Sequence, residues 1–352
     1  MNDTSRPAQR TRRTPLRDVS ITMAHGSGGK AAAALLEEVF LPAFGNPASL
    51  SLPDAATLAV EAGRIAYTTD SFVVQPIRFP GASIGELAIN GTVNDLAVSG
   101  AQPRWLTAGF ILEEGFPIEE LRRVTQDMAR AASSAGVEIV AGDTKVVPHG
   151  AADQIFINTS GIGVIPPGRT LGEDHVRVGD KLIISGPIAA HGMAVMIARG
   201  NLAITAPIES DCAPLNHQVE ALYGSVNVDD VRWMRDATRG GVATVVNELA
   251  HGSGCGVLLA EEGFTVEPAV RAACDMLGID PLYVANEGCF IAVVSEDSGD
   301  QALEALRGAG AMRASIIGQV VEDPPGLVGV RNSFGGTRLV DMLVTDPLPR
   351  IC

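Results

Sequence analysis

The segment Ile165-Pro166-Pro167-Gly168-Arg169 cuts the chain into two parts. Two adjacent prolines remove backbone donors, and the glycine after them marks a turn, so neither a helix nor a central strand runs through this stretch. On both sides, short strand-like runs alternate with longer helical periods, the pattern of an α/β (or α+β) architecture. Upstream, strands are expected around Arg64–Val74 (as a pair), Trp105–Glu113, Val137–Val147 and Gln154–Val164, with helices over Ser83–Ser99 and Ile118–Ala135. A strand Val19–Met23 leads through the turn His25-Gly26-Ser27-Gly28-Gly29 into the helical pattern Lys30–Phe40. Downstream, the strands Lys181–Ser185, Phe290–Val294 and Ser315–Val320 and the helices Ala189–Arg199 and Gly240–Ala250 build a second unit. The expected organisation is a basic extension over 1–18, a first domain over 19–166, a second over 176–340 and a tail over 341–352. In that tail, Pro347-Leu348-Pro349 favours extended backbone over a last helix. A chain of 352 residues is long enough for two such domains.

Aromatic residues are only 4% of the chain, while glycine numbers 39, so the interior has to be built from Val, Ile, Leu and Ala with backbones close together. With 46% hydrophobic residues, the chain is excluded from the disordered class. The net charge of −15 repels phosphate backbones and argues against nucleic acid as a partner. The N-terminus carries five arginines but no apolar core of a secretory signal, and no run approaches the ~20 apolar residues of a membrane span. Cys212, Cys255, Cys274, Cys289 and Cys352 are scattered and form no CxxC, which fits a reducing, cytoplasmic setting.

An acidic protein that handles phosphates needs metal ions or local glycine-rich loops. Gly26-Ser27-Gly28-Gly29-Lys30 stands between a strand and a helix, where backbone N–H groups suit phosphate. It has neither a Walker A frame nor G-x-G-x-x-G, and a plain tight turn is the other reading. Asp54, Asp70, Asp95, Asp143 and Asp236 each sit among small or apolar residues. Any one of them reads as a cap or a turn residue. Five such carboxylates together point to magnesium held with nucleotide phosphates. Asn90 and Asn94 share a face of a small-residue helix, as surface residues or as ligand contacts. Lys145, after Gly142-Asp143-Thr144, and Glu287, before an apolar strand, are either structural ion-pair members or a buried proton-shuttling pair.

Several strings resemble the hydrogenase expression/formation proteins of the HypE family. They are Ile21–Lys30 (ITMAHGSGGK), Asn90–Gly100 (NGTVNDLAVSG), Ala141–Lys145 (AGDTK), Arg235–Gly241 (RDATRGG), Ala285–Gly288 (ANEG) and, most diagnostic, the terminal Pro349-Arg350-Ile351-Cys352. The resemblance runs in order from about residue 19 to the end. It implies the two-domain PurM-like fold of the aminoimidazole ribonucleotide (AIR) synthetase superfamily and a homodimer joined through the N-terminal domains. It further implies that Cys352 accepts a carbamoyl group from a partner carbamoyltransferase of the HypF type. ATP-dependent dehydration then gives a thiocyanate, and the cyanide passes to an iron-scaffold complex of the HypC–HypD type that serves nickel–iron hydrogenase.

On this resemblance Asp54, Asp95 and Asp236 hold Mg²⁺ with the nucleotide, and Asp70, Asn94, Asp143 and Thr144 join the ATP site. The Gly26–Gly29 turn with Lys30 covers the phosphates, and Lys145 and Glu287 assist proton removal around the substrate-bearing Cys352. The family's aspartate pair near the first metal site is reduced here to Pro53-Asp54. Cys289 follows the ANEG string and reads as a buried strand cysteine. Selenophosphate synthetase and thiamine-phosphate kinase are the alternatives on the same fold, and a nucleotide-binding scaffold without turnover is the alternative of another class.

Overall fold

The computed structural model describes residues 16–26, 29–45, 63–200, 206–342 and 350–352. The first unit is built on a four-stranded sheet of β1 (Arg64–Phe72), β4 (Gln102–Glu113), β5 (Glu138–Val147) and β6 (Ile155–Ile165), in the order β1-β6-β4-β5. Only β4 and β5 run parallel, and α4 (Ile118–Ala135) makes their crossover. The expected pair over Arg64–Val74 is a single long strand, because every residue from Arg64 to Phe72 finds its partner on β6. A short hairpin of β2 (Arg78–Phe79) and β3 (Ala82–Ser83) leads into α3 (Ile84–Val98). Ser83 caps α3 in a reciprocal box: its hydroxyl accepts from Gly85 N, and Glu86 accepts from Ser83 N at 2.9 Å.

The N-terminal segment departs from the expected strand. Ser20 forms one bridge with Pro117, and Met23–Gly26 is a 3₁₀ turn. The segment lies against the turn before α4, where Ile21 N donates to Phe116 O at 2.7 Å, so no full strand is available to pair with it. The helical pattern then appears as α1 (Gly29–Leu35), a π turn over Leu36–Phe40 and α2 (Leu41–Phe44).

The second unit is a seven-stranded sheet in the order β13-β12-β9-β11-β7-β10-β8. Its strands are β7 (Lys181–Ile184), β8 (Val231–Asp236), β9 (Gly256–Ala260), β10 (Phe290–Val294), β11 (Ser315–Val321), β12 (Val328–Arg331) and β13 (Thr337–Val340). Its helices are α5 (Ala190–Ala198), α6 (Asn216–Ser225), α7 (Gly241–Ser253), α8 (Pro268–Leu277) and α9 (Gly299–Gly308).

Helix α3 joins the units. It is buried nearly all round, which explains why it lacks a polar face. Its body packs on the first sheet, whereas Ala97 and Val98 belong to a core that also holds Leu215, Leu222 and Phe290 of the second unit. Arg169, from the boundary segment, pairs with both carboxylate oxygens of Glu220 and stacks 4.1 Å over the Tyr223 ring, fixing the connector to α6. Helices α3 and α4 cover one face of the four-stranded sheet. The other face is open, and Ile65, Tyr67 and Ile111 are exposed on it. No helix among the described residues is long and apolar enough to cross a membrane.

Candidate active site

A cleft of about 630 Å³ lies between the two units. Ala66–Thr68 of β1 and Asp95, Leu96, Val98 and Ser99 around the end of α3 line one side, Leu171–Glu173 of the connector another, and Trp233–Asp236 of β8 a third. Asp95 and Asp236 therefore reach one cavity from different units. Thr68 donates its hydroxyl to Asp95 Oδ2 at 2.9 Å, and Ser71 N donates to Asp70 Oδ1 at 2.7 Å.

These acids act on one another. Burial pushes the Asp236 carboxyl up to about 7, with the Asp95 charge adding to it. Burial also raises Asp95 and Asp70, and the Asp70 charge raises Asp95 further. Arg235 and Arg239 offset part of this. Among the described residues, no three of His, Cys, Asp and Glu converge closely enough to enclose a metal by themselves. Mg²⁺ needs no such cage: it keeps one or two carboxylates and takes the rest of its shell from phosphates and water. A buried and a half-buried carboxylate, Asp236 and Asp95, with too little positive charge beside them are the donor set this ion fits. Asp54 lies outside the described residues.

The end of the chain reaches the same site. Arg239 Nε donates to Cys352 Sγ at 3.1 Å. Val73 N donates to Cys352 O at 3.1 Å and Gln75 N to Arg350 O at 3.4 Å, so the tip pairs antiparallel with the stretch after β1. Arg350 sits at φ 55°, a left-handed conformation rare for a side chain of this size. Several bonds hold it there: its guanidinium donates to Val73 O and to Asp153, and its carbonyl accepts from Arg199 at 2.6 Å. Ile351 is buried in a core to which both units contribute. Burial pushes the Cys352 thiol up to about 11, and the nearby Glu287 adds to this, while Arg239 opposes both.

Glu287 is buried beside this thiol. Burial, then the charges of Asp236 and Asp211, raises its carboxyl well above the usual carboxylate range. Its loop is fixed from three sides. Asp211 accepts from the backbone N–H groups of Glu287 and Gly288, Asn286 donates to Ala237 O at 2.7 Å, and Asn94 donates to Glu287 O at 3.3 Å. Gly288 is required, because a Cβ there would lie 1.7 Å from Asp211 O.

Asn94 has its side-chain amide engaged within the protein. Both of its donors go to backbone carbonyls, of Ala213 and Glu287, and its oxygen accepts from Leu215 N at 2.8 Å. It staples the units together, a role outside the surface-or-ligand choice the sequence offers. Lys145 and Glu287 do not form a buried pair. Lys145 lies on the open face of the first sheet, 65% exposed, and pairs with Asp143 at 2.8 Å. Asp143 is equally exposed, and its own Oδ1 accepts from Thr144 N. Period-2 alternation on β5 sends both charges away from the cleft in the single chain. Gly26 closes the 3₁₀ turn, and Gly29 and Lys30 open α1; Ser27 and Gly28 lie outside the described residues. Cys289 is buried next to β10, as a strand cysteine would be.

Sequence reading missed Arg239, His191, Arg199 and Asp211. Arg239 had a visible signal, since it lies inside the RDATRGG string. His191, Arg199 and Asp211 are brought in by tertiary packing and carry no local pattern.

A fold of two linked α/β units with an acidic cleft between them defines the class. Residues 53–165 match the AIR synthase related protein, N-terminal domain, and residues 177–330 match the C-terminal domain of the same family. The carbamoyl dehydratase HypE of Rhodobacter capsulatus is 49% identical over 344 residues, covering 96% of this chain and 99% of that protein. A crystal structure of the hydrogenase maturation protein HypE in complex with ATP superposes with a TM-score of 0.88 at 44% identity, over 94% of this chain and 99% of that one. A HypE–HypF complex gives a TM-score of 0.77 at 47% identity, over 88% of this chain and all of that one. Thiamine monophosphate kinase from Aquifex aeolicus, at 17% identity and a TM-score of 0.58, shares the fold alone. The chain belongs to the HypE family of AIR synthase related proteins.

Proposed function

We propose that this chain is the carbamoyl dehydratase of nickel–iron hydrogenase maturation, and that Cys352 carries its substrate. The observation that supports this most is the terminal thiol held by Arg239 at 3.1 Å, beside the buried Glu287 and close to the Asp70–Asp95–Asp236 cluster. The HypE structure that contains ATP supports nucleotide use here, and the HypE–HypF structure supports a carbamoyltransferase partner of that type.

An amide oxygen is a poor leaving group until it is phosphorylated. In the proposed reaction the carboxamide oxygen on Cys352 takes the γ-phosphoryl group of ATP, releasing ADP. The C–O bond then breaks, the oxygen leaves within inorganic phosphate, and the nitrogen gives up both protons as C≡N forms. The site's work is alignment and charge control. Asp95 and Asp236 would hold Mg²⁺, which neutralises phosphate charge in a cleft whose own charge is negative. Arg239 orients the substrate at the sulfur. Burial makes the Glu287 carboxylate an unusually strong base, suited to take one proton from the amide nitrogen, while the departing phosphate takes the other.

The reading extends to assembly. A homodimer through the open face of the first sheet would cover Ile65, Tyr67 and Ile111. The same face carries Lys145, so a catalytic Lys145 depends on that dimer. Delivery of cyanide to a HypC–HypD type complex requires the tip to leave its groove, and the twelve residues 341–352 reach ~40 Å when extended. The test is the mass of the C-terminal peptide after incubation with carbamoyl phosphate, the partner transferase and ATP. A carbamoyl adduct that loses one water only when ATP is present supports the reading, and an unmodified Cys352 refutes it.

A further inference from the structure

The docked tip leaves one carbonyl that its main-chain pairing cannot serve. Cys352 O and Arg350 O accept from Val73 N and Gln75 N. Between them, Ile351 O accepts from neither of these amides. It meets His191 Nε2 at 2.6 Å. His191 lies at the start of α5 with none of its surface exposed, edge-on to Phe79 with ring centroids 5.4 Å apart.

The protonation pattern follows from the partners. A carbonyl only accepts, so Nε2 carries the hydrogen. The other ring nitrogen, Nδ1, lies 2.9 Å from Ser210 Oγ. Ser210 is itself anchored: its N donates to Pro80 O at 2.8 Å, and its Oγ accepts from Cys212 N at 3.0 Å. The remaining Ser210 hydroxyl proton is donated to Nδ1, which completes a neutral ring of defined tautomer. Burial opposes a charged imidazole here and pulls its pKa down to about 4, so the tautomer persists through the physiological range.

We propose that His191, held as the Nε2–H tautomer by Ser210, is a positioning residue that sets Cys352 in the site by gripping the Ile351 carbonyl. It acts on the residue before the substrate carrier and touches no reacting atom. The inference rests on the reading that Cys352 bears the substrate. It extends that reading by assigning the grip on the tip to a side chain 160 positions upstream in sequence.

The test uses the full chain without ATP or carbamoyl donor, so it does not depend on dehydratase activity. Alkylation of Cys352 by iodoacetamide is followed by mass of the C-terminal peptide. His191→Leu should label roughly 3- to 10-fold faster than the native chain, the shift expected from losing one hydrogen bond. His191→Gln places an amide donor where Nε2 stands and should label within about 2-fold of the native rate. His191→Asn keeps only the Ser210 side and should behave like the leucine variant. If the leucine variant does not fold, the Gln and Asn pair decides. Native-rate labelling in a folded His191→Leu, or equal rates for Gln and Asn, overturns the proposal. Dehydration of a carbamoylated tip, measured separately, should slow in the same order.

Discussion

Asp236 should cost the chain stability at alkaline pH, and the cost should disappear when its charge is removed. Its folded pKa of about 7 stands against an ordinary value of 3.8. The folded chain thus binds this proton more tightly than the unfolded chain does. The stabilising contribution is complete below the ordinary value and is lost as pH rises toward 7. At pH 8 the carboxylate is ionised in both states, and the gap corresponds to about 4 kcal/mol against folding. Between pH 5 and pH 8 the change is about 3 kcal/mol, because the unfolded carboxyl has already ionised at pH 5. Asp236→Asn has no such proton. Urea unfolding of the metal-free, nucleotide-free chain at the two pH values gives the comparison, followed by tryptophan fluorescence, to which Trp233 on the same strand contributes. The native chain should lose about 3 kcal/mol more than the variant on going from pH 5 to pH 8. Mg²⁺ with ATP at pH 8 should return stability to the native chain and little to the variant. Parallel pH dependence in the two chains, or equal recovery with Mg²⁺ and ATP, would refute the reasoning.

Three further outcomes follow from the site. Glu287→Gln replaces a carboxyl whose charged form burial disfavours, so the unfolding temperature should not fall, while single-turnover dehydration should fall by roughly 10²–10⁴-fold. Ile351→Ala removes three carbon groups from a position only 2% exposed, worth about 2 kcal/mol of docking. Hydrogen exchange at the Val73 and Gln75 amides should then accelerate while the rest of the first sheet is unaffected. Gly288→Ala forces a methyl against Asp211 O and should lower the unfolding temperature clearly, whereas alanine at the open Gly186 should not.

How much of this was legible in the chain depended on the range of the signal. Ile118–Ala135 was readable to the residue, because Pro117 marks its start and an amphipathic period runs its whole length. Phe290–Val294 was readable because an apolar run that short, after a turn, suits a fully buried strand. Strands β8, β9, β12 and β13 were missed; β12 and β13 are four residues each, and β13, at the sheet edge, turns Thr337–Leu339 outward with too little alternation to stand out. The acids Asp95 and Asp236 were found because carboxylates among small residues are costly unless something compensates them. The supposed Lys145–Glu287 pair failed on strand parity: Lys145 lies on the outward face of β5, and no local pattern says which face a later loop will approach. Asn94 read as a surface residue or a ligand contact, and its role as a staple required knowing that the loops 211–215 and 285–288 meet α3.

The central claim is that Cys352 is the substrate carrier and that the cleft removes water from what it carries. The most direct measurement is the mass of the C-terminal peptide over time, in the presence of carbamoyl phosphate, the carbamoyltransferase partner, Mg²⁺ and ATP. The account predicts a carbamoyl adduct on Cys352 that converts to a species lighter by one water when ATP is supplied. It also predicts that Asp95→Asn stalls at the adduct and that Cys352→Ala shows neither species. Conversion that proceeds normally in Asp95→Asn, or full hydrogenase maturation supported by Cys352→Ala, would contradict it.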